Sequence, residues 1–264
     1  MPEARRPLLV IDGDNFAHRS YHALPKLIRR TGNRGAGAIV GFANFLLRLY
    51  ESERPRAVLV GWDTLDAATY RQTLFPPYQG GRQFDNELVE QLAILPEFVA
   101  ACGFVNAKEP GYEADDFLAA AAAAETRRNG RTLVATGDRD AFQLASATVT
   151  ILHPVRAGEM VRIGPSEVRE RYGVEPAQVA DFIALRGDPS DKLPGARGVG
   201  PKGAASLLRQ YSTLDDVLAG NHFPEQAEEL RYYVATATKR MFLPTADLPK
   251  MTVWQSSRSL TNSR

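Results

Sequence analysis

The chain has a single cysteine, Cys102, in 264 residues, so it can form no internal disulfide and no cysteine-based zinc cage. A reducing, cytoplasmic setting is expected. It also lacks any run approaching the roughly 20 consecutive apolar residues that a membrane span requires. Its MPEARRPLLV start leads into a strand-like segment rather than a signal sequence, so a soluble protein with no membrane contact is expected. No internal repeat is present. Neither sign of charge dominates: 32 basic and 31 acidic residues leave a net charge of +1, which alone argues neither for nor against nucleic acid. The 44% hydrophobic content suits a globular protein with one large domain, or a main domain with an annex.

What the chain does have is a pattern of acids. Nine fall in five short clusters: Asp12; Asp63; Glu113, Asp115 and Asp116 of GYEADD; Asp138 and Asp140 of TGDRD; Asp188 and Asp191 of GDPSD. Most follow apolar runs, where a folded chain crowds them together. Crowded carboxylates raise one another's pKa or require cations. With no His or Cys among them, they point to a hard, oxygen-seeking divalent ion, magnesium or manganese. Setting these nine aside leaves 22 acidic against 32 basic residues. An acidic cleft on a basic body suits a metal-dependent enzyme acting on a polyphosphate.

Short apolar strands are predicted at Leu8 to Ile11, Ala57 to Gly61, Phe104 to Asn106, Thr132 to Thr136 and Thr148 to Leu152. Helical patterns lie between several of them, at Gly35 to Glu51, Glu87 to Cys102 and the alanine-rich Ala114 to Arg128. This alternation implies an α/β domain with a mostly parallel central sheet flanked by helices. Ligands of such sheets bind beyond the carboxyl ends of the strands, which is where Asp12, Asp63 and Asp138 fall. From about Gly164 the pattern becomes helical only, at Pro165 to Tyr172, Pro176 to Leu185, Pro201 to Gln210, Thr213 to Ala219 and Glu225 to Thr238. The expected division is therefore 1–163, an α/β metal-binding domain, and 164–248, a helical subdomain. Residues 249–264 form a polar tail without periodicity.

Each motif also has a plainer reading. Acids at the mouth of a helix can simply cap amides or complement the dipole, and Asp12 and Asp14 can be turn residues. Asp12 and Asp14 also match the Asp-x-Asp loop of haloacid dehalogenase-type phosphatases, although Asn15 and Phe16 replace that family's continuation. The segment GDPSDKLPGARGVGPKGAASLL is more specific. Gly198 and Gly200 form a glycine hairpin, followed by a helix with Lys202 in its first turn. That helix-hairpin-helix pattern grips a phosphate backbone without reading bases. In YRQTLFPPYQGGRQFDNE, Arg71, Tyr78 and Arg82 interleave cations with an aromatic ring, as a nucleic-acid strand would require. A solvated loop is the plainer alternative.

From VIDGDN through RSYHALP, GAIVGFANFLLRL, GYEADD, TGDRD and GVEPAQVADFIALRGDPSD to GVGPKGAASLL, the chain resembles the 5′ nuclease family of flap endonucleases and bacterial DNA polymerase I 5′ to 3′ exonuclease domains. The resemblance implies a PIN-like nuclease domain and metal binding by Asp12, Asp63, Glu113, Asp115, Asp116, Asp138, Asp140, Asp188 and Asp191. It implies catalytic work for Asp115, Asp116, Asp138, Asp188, Arg71 and Arg82, and DNA contacts at Arg71, Tyr78, Arg82, Gly198, Gly200 and Lys202. A helical arch is implied at about 69–86, and a duplex-holding hairpin, often with a potassium ion, at Gly195 to Leu208. The implied activity is metal-dependent cleavage of DNA near a free 5′ end or at a 5′ flap in replication and repair, by a monomer with two magnesium or manganese ions about 4 Å apart. One departure stands out: the family commonly has Tyr-Lys in the arch, and this chain has Tyr78-Gln79. A branched-DNA-binding protein with weakened catalysis is therefore the alternative.

Overall fold

The sequence LLVID at Leu8–Asp12 forms β1, a strand buried along its whole length. Leu8 and Val10 point to one face of the sheet and Leu9 and Ile11 to the other, so both faces must be covered. The computed structural model describes residues 6–64, 67–81, 84–155 and 158–239. After β1 come α1 (Gly13–Ala23), a two-stranded hairpin of β2 (Arg29–Arg30) and β3 (Arg34–Gly35), α2 (Gly37–Glu53) and β4 (Ala57–Gly61). The chain continues through α3 (Tyr70–Leu74), α4 (Asn86–Ala101), β5 (Val105–Ala107), α5 (Ala114–Arg127), β6 (Thr132–Ala135), β7 (Val149–Pro154) and β8 (Met160–Ile163). It ends with α6 (Pro165–Tyr172), α7 (Val179–Arg186), α8 (Pro201–Tyr211), α9 (Leu214–Ala219) and α10 (Ala227–Ala237).

The six-stranded sheet has the order β5-β4-β1-β6-β7-β8, parallel except for β8, which pairs antiparallel with β7. From β1 the chain moves outward through β4 to β5, then crosses to β6 on the other side of β1. That reversal opens a crevice at the carboxyl ends of β1 and β6, where ligands of open α/β sheets bind. Helices α1, α2 and α4 cover the face carrying Leu9, Ile11, Val58 and Val60. The other face carries Leu8, Val10, Leu59 and Val134 and packs on α5. The helical segment shares this second core: Phe182, Ile183, Ala204, Leu208, Leu230 and Tyr233 belong to the same apolar cluster as Phe117 and Leu118 of α5.

Several elements differ from the sequence pattern, the β2–β3 hairpin among them. Helix α1 replaces an expected turn, because Asp12 caps it: its Oδ1 accepts the Asn15 N–H at 3.0 Å. Strand β8 is four residues long and half-exposed, so its alternation carries little signal. Of the expected arch at 69–86, residues 69–81 form the five-residue α3 and turns folded down onto the acids, and Phe84 and Asp85 lead into α4 at Asn86. Arg82 and the tail at 249–264 lie outside the described residues.

Candidate active site

Asp12 ends β1, Asp63 follows β4 and Asp138 follows β6, so adjacent strands deliver three acids to one sheet edge. Helix α5 presents its N-terminus to the same place with Glu113, Asp115 and Asp116. Gly61 permits this approach, since a Cβ there would sit 2.9 Å from the Ala114 carbonyl oxygen and from Leu118 Cδ1. Asp63 Oδ1 then accepts the Ala114 N–H at 2.8 Å, tying the strand end to the helix mouth. A cavity of about 630 Å³ opens here, lined by Asp12, Asp14, Asp63, Glu113, Asp115, Asp138 and Asp191. Asp116, Asp140 and Asp188 do not line it. A second cavity of about 430 Å³ adjoins the first and shares Asp63, Gln79, Phe84 and Glu113 with it.

The acids are not equivalent. Burial, with the charges of Asp115 and Asp63 adding to it, pushes the Asp12 carboxyl well up even though Asn15 and Thr136 donate to it. Burial likewise raises Asp115 to about 8 against the pull of Lys239. It raises Asp140 as well, with repulsion from Asp138 adding to the effect. Burial opposes ionisation of Asp138 too, but there Lys239 and hydrogen bonds from neighbouring groups prevail and hold the carboxyl below its usual range. Asp14 rises to about 8, mainly through burial and the nearby Asp63, and its Oδ2 accepts the Asp63 N–H at 2.7 Å. An acid with no role evident in the sequence thus orients Asp63.

Arg71, expected from the sequence to be a DNA-contacting cation, is fully buried here, at 0% exposure. Its guanidinium reaches Glu113 Oε2 at 2.9 Å and both Asp116 oxygens at 2.8 and 2.9 Å, and its Nε donates to the Thr236 carbonyl at 3.0 Å. A planar fork is the one side chain able to bridge two carboxylates and a helix end in this way. Tyr78, expected among the DNA contacts, is buried here with its hydroxyl donating to Glu113 Oε2, 3.1 Å away. An exposed ring is nonetheless present at the cavity mouth, that of Phe84. Gln79 donates to Asp191 Oδ1 at 3.1 Å and to the Tyr78 hydroxyl at 2.8 Å.

Lys239 is the residue that the sequence gives no reason to choose. It is 3% exposed, and its Nζ lies 2.8 Å from Asp115 Oδ2, 3.3 Å from Asp138 Oδ2 and 3.8 Å from Asp140 Oδ2. About a hundred residues separate it from the last two, so no local pattern could reveal it.

Between α7 and α8, Asp188 and Leu193 exchange backbone hydrogen bonds that close the GDPSD turn. Asp188 Oδ1 accepts from Ser190, while Asp191 turns toward Gln79. The hairpin glycines are exposed. Gly198 has φ +76°, and a Cβ there would touch nothing within 4 Å, so the backbone turn, rather than packing, requires its glycine. Lys202 stands exposed in the first turn of α8.

A family model described as the 5′-3′ exonuclease N-terminal resolvase-like domain matches residues 7–173, and its C-terminal SAM-fold partner matches residues 174–248. The chain belongs to the 5′-3′ exonuclease family. This 5′-3′ exonuclease family member is 39% identical over 214 residues to DNA polymerase I of Mycobacterium tuberculosis, an alignment covering 80% of this chain and 24% of that protein. It is 40% identical over 224 residues to DNA polymerase I of Deinococcus radiodurans, covering 84% and 23% respectively. The chain thus spans about a quarter of the length of these relatives. Its fold is that of the bacteriophage T5 D15 protein co-crystallized with metal ions, with a TM-score of 0.74 at 18% identity, covering 89% of this chain and 90% of that one. The catalytic core of Rad2 in complex with DNA substrate gives 0.52 at 14% identity, covering 89% and 74%.

Among the described residues, no three carboxylates, imidazoles or thiols are arranged to grip an ion as they stand. The donor chemistry nevertheless fits a hard cation. Asp115 Oδ1 and Asp140 Oδ2 are buried without a hydrogen-bond partner, a costly condition that a divalent ion would relieve. Among the described residues no helix is long and apolar enough to cross a membrane.

Proposed function

We propose that this chain hydrolyses DNA phosphodiester bonds near a free 5′ end or at the base of a 5′ flap, acting as a monomer with magnesium or manganese. The observation that carries the reading is the convergence of Asp12, Asp63, Glu113, Asp115 and Asp138 on one cavity, with Asp140 joined to Asp115 and Asp138 through Lys239 and two buried carboxylate oxygens unpartnered. Asp115, Asp138 and Asp140 would hold one ion, and Asp191 with Asp63 or Asp188 would lie toward a second. When bound, such ions supply an activated water and stabilise the leaving 3′ oxygen. The protein's own share is positioning. Asp14 and the Ala114 amide fix Asp63, Arg71 and Tyr78 fix Glu113, and Gln79 holds Asp191.

The exposed hairpin of Gly198 and Gly200, with the N-terminus of α8 and Lys202, would receive backbone phosphates of the duplex. A potassium ion at its carbonyls belongs to the same proposal. Phe84 would offer its ring to a base of the 5′ strand.

The test uses a 5′-labelled flap duplex with magnesium, manganese or EDTA. Cleavage is expected with either metal and none in EDTA. Asp138→Asn is expected to lower the single-turnover rate by at least about 10² while flap binding in EDTA persists. Binding without cleavage by the unaltered chain would identify a branched-DNA binder instead, and an unchanged rate in Asp138→Asn would remove the proposed site.

A further inference from the structure

The carboxylates best placed for the first ion already hold a cation. Lys239 Nζ sits among Asp115, Asp138 and Asp140 at 2.8, 3.3 and 3.8 Å, and its side chain is almost wholly buried. It arrives from just beyond the end of α10, and that end is strapped to the site by its backbone. The Lys239 N–H donates to Gln143 Oε1 at 2.9 Å, and Gln143 Nε2 donates to the Ala237 carbonyl at 3.0 Å. Arg71 Nε donates to the Thr236 carbonyl at 3.0 Å, and the Tyr70 hydroxyl to the Thr238 carbonyl at 3.3 Å. The ammonium is an incomplete solution to the charge. It carries one positive charge against three carboxylates, and Asp115 Oδ1 and Asp140 Oδ2 remain without hydrogen bonds.

We propose that Lys239 is a tethered competitor of the divalent ion: it occupies the carboxylate site when metal is absent, and metal entry expels it and frees the last turn of α10. This rests on the metal-site reading above. A divalent ion needs the same oxygens at about 2.0–2.1 Å for magnesium, and an ammonium already within 3 Å of Asp115 cannot share that space or its field. Displacing Nζ pulls on a side chain rooted two residues past the helix. The bonds from the Lys239 amide to Gln143 and from the Tyr70 hydroxyl to the Thr238 carbonyl are the first that its withdrawal would break. Lys239 therefore sets how much metal the site needs before it loads, and the chain without metal keeps its helical segment clamped to the sheet edge.

Manganese titration of the full chain, read by calorimetry and by the Mn²⁺ electron paramagnetic resonance signal without DNA, tests this. Lys239→Met keeps the aliphatic stem and drops the charge, and is expected to bind the first Mn²⁺ at least about tenfold more tightly than the native chain. Lys239→Arg is expected to stay near the native value. In EDTA, Lys239→Met should melt below the native chain, and the gap should close with Mn²⁺. In the native chain, hydrogen exchange at the Thr238 and Lys239 amides should speed up on Mn²⁺ addition, a readout that does not depend on any variant folding. Equal or weaker Mn²⁺ binding by folded Lys239→Met, or exchange at those amides unchanged by Mn²⁺, overturns the proposal. Absence of Mn²⁺ binding in all three proteins would overturn the metal-site reading together with it.

Discussion

Asp14 shows how one buried acid sets a pH dependence. Its carboxyl rises from 3.8 to about 8 on folding, so between those values the folded chain keeps a proton that the unfolded chain has lost. The folded state then binds more protons, and stability falls as pH rises through the window. Asn accepts the Asp63 N–H as well as Asp does but has nothing to ionise. In EDTA at pH 8, Asp14→Asn is therefore expected to be more stable by up to about 5 kcal/mol, at about 1.4 kcal/mol per pH unit across the window, with the difference gone near pH 4. Equal melting at pH 8 would show that Asp14 ionises freely. Gln79 poses a different question at the same scale. It donates to Asp191 as a neutral amide, where a Lys would add charge close to the scissile phosphate. Because one lost charge-stabilising donor can cost about 10² to 10³ in rate, Gln79→Lys is expected to raise the single-turnover cleavage rate at least about tenfold. No change would mean that charge at position 79 is dispensable here.

At the scale of elements, Arg71 is the joint. It connects α3, which carries it, to α5 through Glu113 and Asp116, and to α10 through the Thr236 carbonyl. Arg71→Ala leaves two buried carboxylates without a counter-ion, and loss of one partner of such a group costs about 3–5 kcal/mol. Urea unfolding in EDTA is expected to show that loss. An effect under 1 kcal/mol would mean that water enters and replaces the guanidinium. This joint also marks the limit of what the sequence reveals. Strands β1, β4 and β6 are legible because apolar runs bounded by turns suffice to define them, and α5 because an alanine run favours helix. The acids at the strand ends are legible through that placement. Helix α1 is not, since GDNFAHRSYHA begins as a turn would and only the Asp12 cap commits it to helix. Arg71, Tyr78 and Lys239 take their roles from partners 35 to about 165 residues away. No periodicity encodes such pairings, so the internal ion pairs of Arg71 are invisible in a segment that reads simply as basic and aromatic.

Over the whole molecule, a net charge of +1 conceals a division. The nine clustered acids sit largely at one sheet edge, and the exposed hairpin with Lys202 lies elsewhere on the helical segment. A DNA duplex held by phosphate contacts at the hairpin should bind with an affinity that falls linearly on a log–log plot against salt, with a slope of about −0.9 per phosphate neutralised. Lys202 would contribute one such contact. Lys202→Ala is therefore expected to weaken flap binding in EDTA for every sequence alike, and to make the salt slope shallower by about 1. The single-turnover rate at saturating DNA should stay near the native value, because the cleavage site has not been touched. Asp138→Asn should do the reverse, losing rate while keeping the native salt slope. If Lys202→Ala left the slope unchanged, the hairpin would not be the duplex grip, and the basic residues elsewhere on the body would have to carry the backbone.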